Sequence, residues 1–318
     1  MNIDLSIEAR DYGIAARDAF KAAGGDQLAQ SAELEPRSRA AVLEPVLADL
    51  GAWDLDPRSN SEELEAAAAL CRAAGHWAVP YPIAERLSRP TDIDVDGLLV
   101  VADHDPRGAV ADLELRWTAV DMNGRRSIAT PRPATGSPRT SAFVTRLDLR
   151  PHDENGTDDA ALGLVLPIWT LLGMLDRAIE LTREHILLRE QFGRPLAKLQ
   201  GVQFQLTEAE VARIGLDVLA KHALWSLQSR SPDALDDVLA ARIAAIEAAE
   251  QVFRVAHQLH GASGFCDETT LSWLSRYSIP LRRLPFGLSE TEAVLTDRVG
   301  RVGLDVSFTG SDIEDVIP

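Results

Sequence analysis

The chain has very little cysteine: Cys71 and Cys266 are the only two in 318 residues. They lie far apart, and neither a Cys-x-x-Cys pair nor a histidine-rich cluster accompanies them. A disulfide framework and a zinc centre are therefore excluded as organising devices, and both thiols are expected to be buried apolar residues in a reducing cytoplasm. Positive charge is also scarce. There are 32 lysines and arginines against 49 aspartates and glutamates, for a formal net charge of -17 and a pI near 4.8. A surface of that sign repels phosphate backbones and anionic lipid, which excludes broad binding to either and requires a local basic site for any anionic ligand. Met1 to Arg10 lacks a basic segment followed by an apolar core, so no signal peptide is expected there. No run of about 18 uninterrupted apolar residues occurs, which argues against a membrane-spanning segment. Repeats and low-complexity tracts are missing as well. The expectation that remains is a soluble, cytosolic chain, long enough for one large core or two to three smaller lobes and so for an enzyme.

Three textures follow one another. Residues 1 to about 90 are rich in alanine, leucine and glutamate, with helices expected near 6–21, 38–50 and 61–75 in a small helical domain. Residues 91–158 carry short apolar runs between turn residues, Gly97 to Ala102, Leu115 to Val120 and Ala142 to Val144, which read as strands of a small β-domain. Residues 159–318 return to long helices near 160–189, 199–229 and 232–259, with shorter ones from 268 and 289. That spacing suits an antiparallel four-helix bundle, and Gly303 to Pro318 reads as an acidic tail.

Within the last region, Arg189-Glu190-Gln191-Phe192-Gly193-Arg194-Pro195-Leu196-Ala197, closed by Gln200, joins two helical segments through a charged, aromatic, glycine-containing elbow. Upstream, Leu162, Val165, Leu166, Trp169, Leu172, Leu175, Ile179 and Ile186 recur at helical spacing with no proline after Pro167, so the elbow falls at a helix end. Gly193 permits a tight reversal and Pro195 suits the start of the next element, which presents Arg189, Gln191 and Phe192 together at an exposed corner. A second glycine-bearing segment runs Gln258-Leu259-His260-Gly261-Ala262-Ser263-Gly264-Phe265, with Glu268 beyond it.

The first segment resembles the Arg-x-x-Phe-Gly-x-Pro-[Leu/Ile]-x-x-x-Gln corner of the acyl-CoA dehydrogenase family. The second is similar to that family's Gln-x-x-Gly-Gly-x-Gly-[Tyr/Phe]-x-x-Glu segment, with Ala262 in place of the second glycine. The resemblance implies a mostly α fold: an N-terminal helical lobe, a β-domain, here reduced, and a C-terminal four-helix bundle. It also implies an FAD clasped between subunits, by the Arg and Phe of one and the Gln-Gly segment of its neighbour. Carried over position by position, the cofactor-binding candidates are Arg189, Gln191, Phe192, Gln200, Gln258, Gly261 and Ala262. The implied substrate is an acyl-CoA, and the implied electron acceptor is an electron-transfer flavoprotein.

The chain departs from the family in three places. The Pro-Glu-x-x-Gly-Gly loop is replaced by Pro57-Arg58-Ser59-Asn60-Ser61. The β-region is about half the size the resemblance implies, with no counterpart found for the family's Thr-Glu-Pro strand segment. Third, the family removes the α-proton of the acyl-CoA with a desolvated glutamate, and that residue is not in place. Counted from Gln258 it falls on Pro285, or on Phe286 if Gly287 is aligned. The position used by a minority of relatives falls on Gly163, followed by Leu164 where arginine is common. None of these accepts a proton. Glu290 and Glu292 lie nearby, and Glu290, about one helical turn past Gly287, is the candidate for a displaced base; its ordinary reading is a solvated residue at a helix start.

Each candidate has a plainer reading beside it. Arg189 is a flavin-pyrophosphate contact or a cation at a helix C-terminus. Phe192 faces a ligand or belongs to the core, and Gln258 is a cofactor contact or a buried structural glutamine. Gly261 and Gly264 allow close approach to a phosphate or merely turn the chain. His185 and His260 have no metal-ligand spacing and read as ordinary helix residues. Arg276, Arg282 and Arg283 are coenzyme A phosphate contacts or surface charges.

Intact cofactor motifs, a shrunken β-region and no base resemble the short subunit of the heteromeric branch of the family found in actinobacterial steroid breakdown, where two unlike chains form an α2β2 tetramer. The expectation is a subunit of an FAD-dependent acyl-CoA dehydrogenase whose partner supplies the base. The alternatives are a self-sufficient homo-oligomer using a displaced glutamate such as Glu290, and a non-enzymatic scaffold.

Overall fold

A computed structural model describes residues 3–134 and 136–303. Residues 304–318, nearly all of the expected acidic tail, lie outside the described residues. The chain opens with helices α1 (Ile7–Ala22), α2 (Leu28–Leu34), α3 (Ser38–Asp49), α4 (Ser61–His76) and α5 (Ile83–Leu87). Side-chain caps start the two longest: the Ser6 hydroxyl accepts from the Ala9 amide and the Asn60 side chain from the Glu63 amide. The loop Pro57 to Ser61 is thus a helix start. Periodicity does not signal α2 and α5, because each is too short to display a repeat.

A five-stranded sheet follows, built from β1 (Gly97–Val100), β2 (Arg107–Gly108), β3 (Trp117–Val120), β4 (Arg126–Pro131) and β5 (Thr145–Asp153) in the order β1-β3-β4-β5-β2. Its pairings are antiparallel except β1 beside β3. The short helix α6 (Pro138–Ser141) lies between β4 and β5. The strand expected at Ala142 to Val144 is replaced by a corner: Ala142 and Phe143 are left-handed, with φ of 45° and 62°, and β5 begins at Thr145. The cause is tertiary. Phe143 is buried beneath the Arg39 guanidinium, 3.6 Å from its ring centroid, and its carbonyl accepts from the Ala111 amide. One anchored aromatic, not a ladder, occupies that apolar run.

The remainder is helical: α7 (Thr157–Leu188), a hairpin of β6 (Glu190–Gln191) and β7 (Arg194–Pro195), α8 (Gln200–Gln228), α9 (Ala234–His260), a 3₁₀ turn over Gly261–Phe265, α10 (Thr270–Arg283) and α11 (Leu288–Val302). With 32 residues, α7 is about 48 Å long. From Ala160 to Leu175 it carries apolar residues on all sides, with Thr170 the one polar exception, as a helix enclosed by others must. By length and composition α7 could cross a membrane, but 67% of its most apolar window is buried inside the protein, as in a core helix.

Two constraints hold α7 in place. First, α4 crosses it backbone to backbone: a Cβ on Gly75 would overlap the Thr170 carbonyl oxygen, and one on Gly173 would overlap the Arg72 carbonyl oxygen. Second, Asp159, in its first turn and 1% exposed, bonds Arg126 of β4 at 2.6 Å and Arg58 at 2.8 Å, so sheet, loop and helix share one buried ion cluster. Of the two cysteines, Cys71 is buried in α4 as expected. Cys266 is exposed, because the turn after α9 lies on the surface.

Gly173→Ala should lower the unfolding free energy by about 3 kcal/mol or more, since neither backbone can yield to a methyl group. Gly215, in α8, has open space around it, and Gly215→Ala should raise stability by about 0.5–1 kcal/mol through helix propensity. Urea unfolding followed by circular dichroism measures both; equal effects would refute the crossing as the constraint.

Candidate functional site

The chain leaves α7 at Arg189 and reverses between the paired residues Gln191 and Arg194. Both central residues are left-handed, Phe192 at φ 54° and Gly193 at φ 75°, which is the geometry that a two-residue hairpin requires. Gly193 adopts it freely. For Phe192 it costs about 1 kcal/mol, and the ring is 86% exposed. A strained aromatic held out into solvent marks a surface made to be covered.

The electrostatics at this corner run against those of the chain. Arg189, Arg194 and Lys198 are exposed, with no side-chain hydrogen bond or ion pair among the described residues, and Glu190 is the only acid from Arg189 to Leu199. Helix α8 then starts at Gln200 with no side-chain cap and no acid in its first turn. Gln203 does not cap it either; its amide donates to the Ala197 carbonyl at 2.8 Å. Open amides at a helix start beside three unpaired cations make a place for an anion. Gln191 and Gln200 are exposed at its rim.

The second segment closes α9. Gly261 has φ 62° and open space about it, and Gln258 and Ala262 are exposed. Gln258 makes no side-chain hydrogen bond among the described residues, so the reading of a buried structural glutamine is set aside. Phe265 is 68% exposed and stacks on His257, with centroids 4.3 Å apart. His260 is buried, and its ring stacks on His185 of α7 at 4.4 Å and 23°. His185 lies one helical turn before Arg189. The stack therefore sets the end of α7, just before Arg189, against the end of α9, just before Gly261. Their spacing reads as ordinary because the two histidines meet only in three dimensions; a ring one turn before Arg189 and another just before Gly261 was the available signal.

The expected base positions are closed. A Cβ on Gly163 would come within 2.6 Å of Val100 on β1. Phe286 is buried, and Pro285 lines a cavity of about 50 Å³ together with Gly163, Glu85 and Arg242. Arg242, 2% exposed, donates to the carbonyls of Leu281 at 3.1 Å, Leu284 at 2.6 Å and Phe286 at 2.8 Å, pinning the α10–α11 connection. Burial lowers its pKa to about 10. Such a space admits a few waters and no thioester. Glu85 is the one carboxyl lining it, and burial raises its pKa to about 7. Glu290 is exposed on α11 and lines a different cavity, of about 220 Å³, with Asp103 and His104. Arg276 and Arg282 are not surface charges: Arg276 pairs with Asp267 at 3.0 Å and approaches Glu33 at 3.7 Å, and Arg282 lies 5.8 Å from the Phe253 ring centroid. Arg283 is exposed. The largest cavity described, about 830 Å³, is lined by Thr157, Gln228 and Arg298 at the far end of α7 from the corner, and none of the expected site residues borders it.

Residues 165–296 match the acyl-CoA dehydrogenase C-terminal domain family. The acyl-CoA dehydrogenase FadE28 of Mycobacterium tuberculosis is 34% identical over 92 residues, which is 29% of this chain but only 27% of that protein. Two solved structures are similar throughout. The ChsE4-ChsE5 complex from Mycobacterium tuberculosis has a TM-score of 0.72 at 18% identity, covering 95% of this chain and 98% of the other. The Tcur3481-Tcur3483 steroid ACAD has a TM-score of 0.74 at 19% identity, covering 92% and 98%. At such identities the likeness is one of fold.

Glu85 generates a pH dependence. Its folded pKa lies above the 4.5 of an ordinary glutamate, so the folded state holds a proton that the unfolded state releases. Stability is full below about pH 4.5 and falls as pH rises to about 7, by at most about 3 kcal/mol. Glu85→Gln should remove that fall. Urea midpoints of both proteins at pH 4.5 and 8 test it; an equal pH effect in the two would refute a buried neutral Glu85.

Proposed function

Residues 165–296 belong to the acyl-CoA dehydrogenase C-terminal domain family and the chain as a whole has the acyl-CoA dehydrogenase fold; from that premise we propose that it is the cofactor-holding, base-lacking subunit of an FAD-dependent acyl-CoA dehydrogenase built from two unlike chains. One observation carries the reading: the cationic corner is open and unpaired, while Gly163 is closed by Val100, Phe286 is buried and Pro285 borders only a cavity of about 50 Å³.

The donor set suits the diphosphate of FAD. Arg189 offers a planar, two-pronged donor to phosphate oxygens, and Arg194 and Lys198 add charge. Gln191, Gln200 and Gln258 supply amide groups, and Gly261 and Ala262 let the backbone approach closely. Phe192 offers an aromatic face. Bound FAD supplies the hydride acceptor for acyl-CoA dehydrogenation. This chain's part is to bind and orient it, and removal of the α-proton falls to a glutamate on the partner.

A surface for that partner runs along α8. Phe204, Val211, Ile214 and Val218 are exposed at spacings of seven, three and four residues, the repeat of a helix-packing seam. The exposed rings of Phe192 and Phe265 add to the apolar surface. The two similar structures are named as pairs of chains, and one is named a steroid enzyme. By analogy the substrate proposed here is a steroid-derived acyl-CoA, the assembly an α2β2 tetramer in the cytoplasm, and the acceptor an electron-transfer flavoprotein.

Co-expression with a base-bearing partner should give a yellow complex that reduces an acceptor with acyl-CoA, whereas the chain alone should be colourless and inactive. Within the complex, Arg189→Ala should weaken FAD binding about ten- to a hundredfold, the worth of a charge-assisted bond to phosphate, with helical circular dichroism unchanged. Wild-type flavin content in that variant would remove the corner as a cofactor site. A yellow, active chain purified alone would refute the division of labour.

A further inference from the structure

The stack of His185 on His260 is the contact that joins the two motif segments, and neither residue has a role in the reading above. His260 has a defined tautomer. Its Nδ1 is 2.9 Å from the Ala256 carbonyl, which can only accept, so Nδ1 carries the hydrogen and Nε2 is the free basic nitrogen. His185 is half-buried, one turn before Arg189. Arg189 at the end of α7 and His257 on α9 oppose protonation of the pair, while the Ala256 carbonyl favours it at His260. Burial opposes it more strongly still, so each imidazole lies below the usual histidine range. The pair is therefore neutral at physiological pH as long as the corner is uncompensated.

We propose that His185 and His260 belong to the phosphate site, and that together they take up one proton from solvent when an anionic diphosphate binds at Arg189. The proposal rests on the assignment of the corner as the FAD site. An anion on Arg189 reverses the sign of the field on His185, and an opposite charge a few ångströms away moves a pKa by about 1 to 3. With the ring centroids only 4.4 Å apart, like-charge repulsion limits the uptake to one proton for the pair. The protonated pair then adds a cation to the site only when the ligand is there. In a chain of net charge -17, the free corner thus avoids holding a further buried charge, and the bound corner gains one.

Calorimetric titration of FAD into the apoprotein, in the assembly in which it is purified, at pH 7 in two buffers of different ionisation enthalpy, tests the idea. Inorganic pyrophosphate serves as a second probe. The expected result is an uptake of about half a proton or more per ligand, with affinity rising as pH falls from 8 to 6. His185→Gln should abolish the uptake and flatten the rise in affinity between pH 8 and pH 6; His260→Gln should do the same, and His185→Gln alone decides the matter if the turn after α9 does not tolerate the other change. Binding that is lost in Arg189→Ala yet shows no uptake would overturn the proposal while leaving the cofactor site intact. Binding insensitive to Arg189→Ala, or none, would overturn the site and this proposal with it.

Discussion

The crossing of α4 over α7 at Gly75 and Gly173 is the constraint on which the rest of the molecule depends. Backbone lies on backbone there, with each glycine facing a carbonyl oxygen of the other helix. Contacts of that kind have no side chains to re-pack, so the angle and register of the two helices are set within a fraction of an ångström. Everything of functional interest hangs on α7. Its first turn is tied through Asp159 to the sheet and to the loop before α4, and its last residues carry His185 and Arg189. A rod fixed at its middle and at one end can present a corner at the other end accurately, even though that corner is a short hairpin exposed to water.

The corner itself is an exception to the charge of the chain. Many arginines elsewhere are answered by acids: Arg72 by Asp176 and Asp217, Arg116 by Asp94 and Asp96, Arg126 by Asp92 and Asp159. At the hairpin three cations are left unanswered beside a helix start without an acid or a cap. Unpaired surface cations are cheap in water, so their presence costs the fold little. What they do is shape the local potential, adding to the open amides at the start of α8 as a means of attracting an anion.

Much of this was legible in the sequence because it is local. The elbow at Arg189 and the helices flanking it follow from spacing along one stretch of chain, whereas Gly163 and Pro285 stand out only against the family resemblance. What escaped is non-local. Phe143 looks like a strand residue until Arg39, from α3, covers its ring. Gln258 looks like part of an apolar stripe, but it is the exposed position just before the helix ends. His185 and His260 carry no signal of each other, since α7 and α9 are brought side by side only by packing. The meeting of the ends of α7 and α9 escaped for the same reason: only packing decides which turns of a bundle share an end.

Under the proposed function, the closure at Gly163 has a historical consequence. A lost catalytic residue is ordinarily one substitution away from return. Here Val100 occupies the space that any side chain at Gly163 would need, and Arg242 is bonded to the carbonyls on both sides of Pro285. Regaining a carboxylate at either place would require a strand or a buried arginine to change first, and each such change alone would destabilise the fold. On the two-chain reading proposed above, reversion is uphill at its first step, and dependence on a second chain would act as a ratchet: easy to enter by drift, and hard for the lineage to leave.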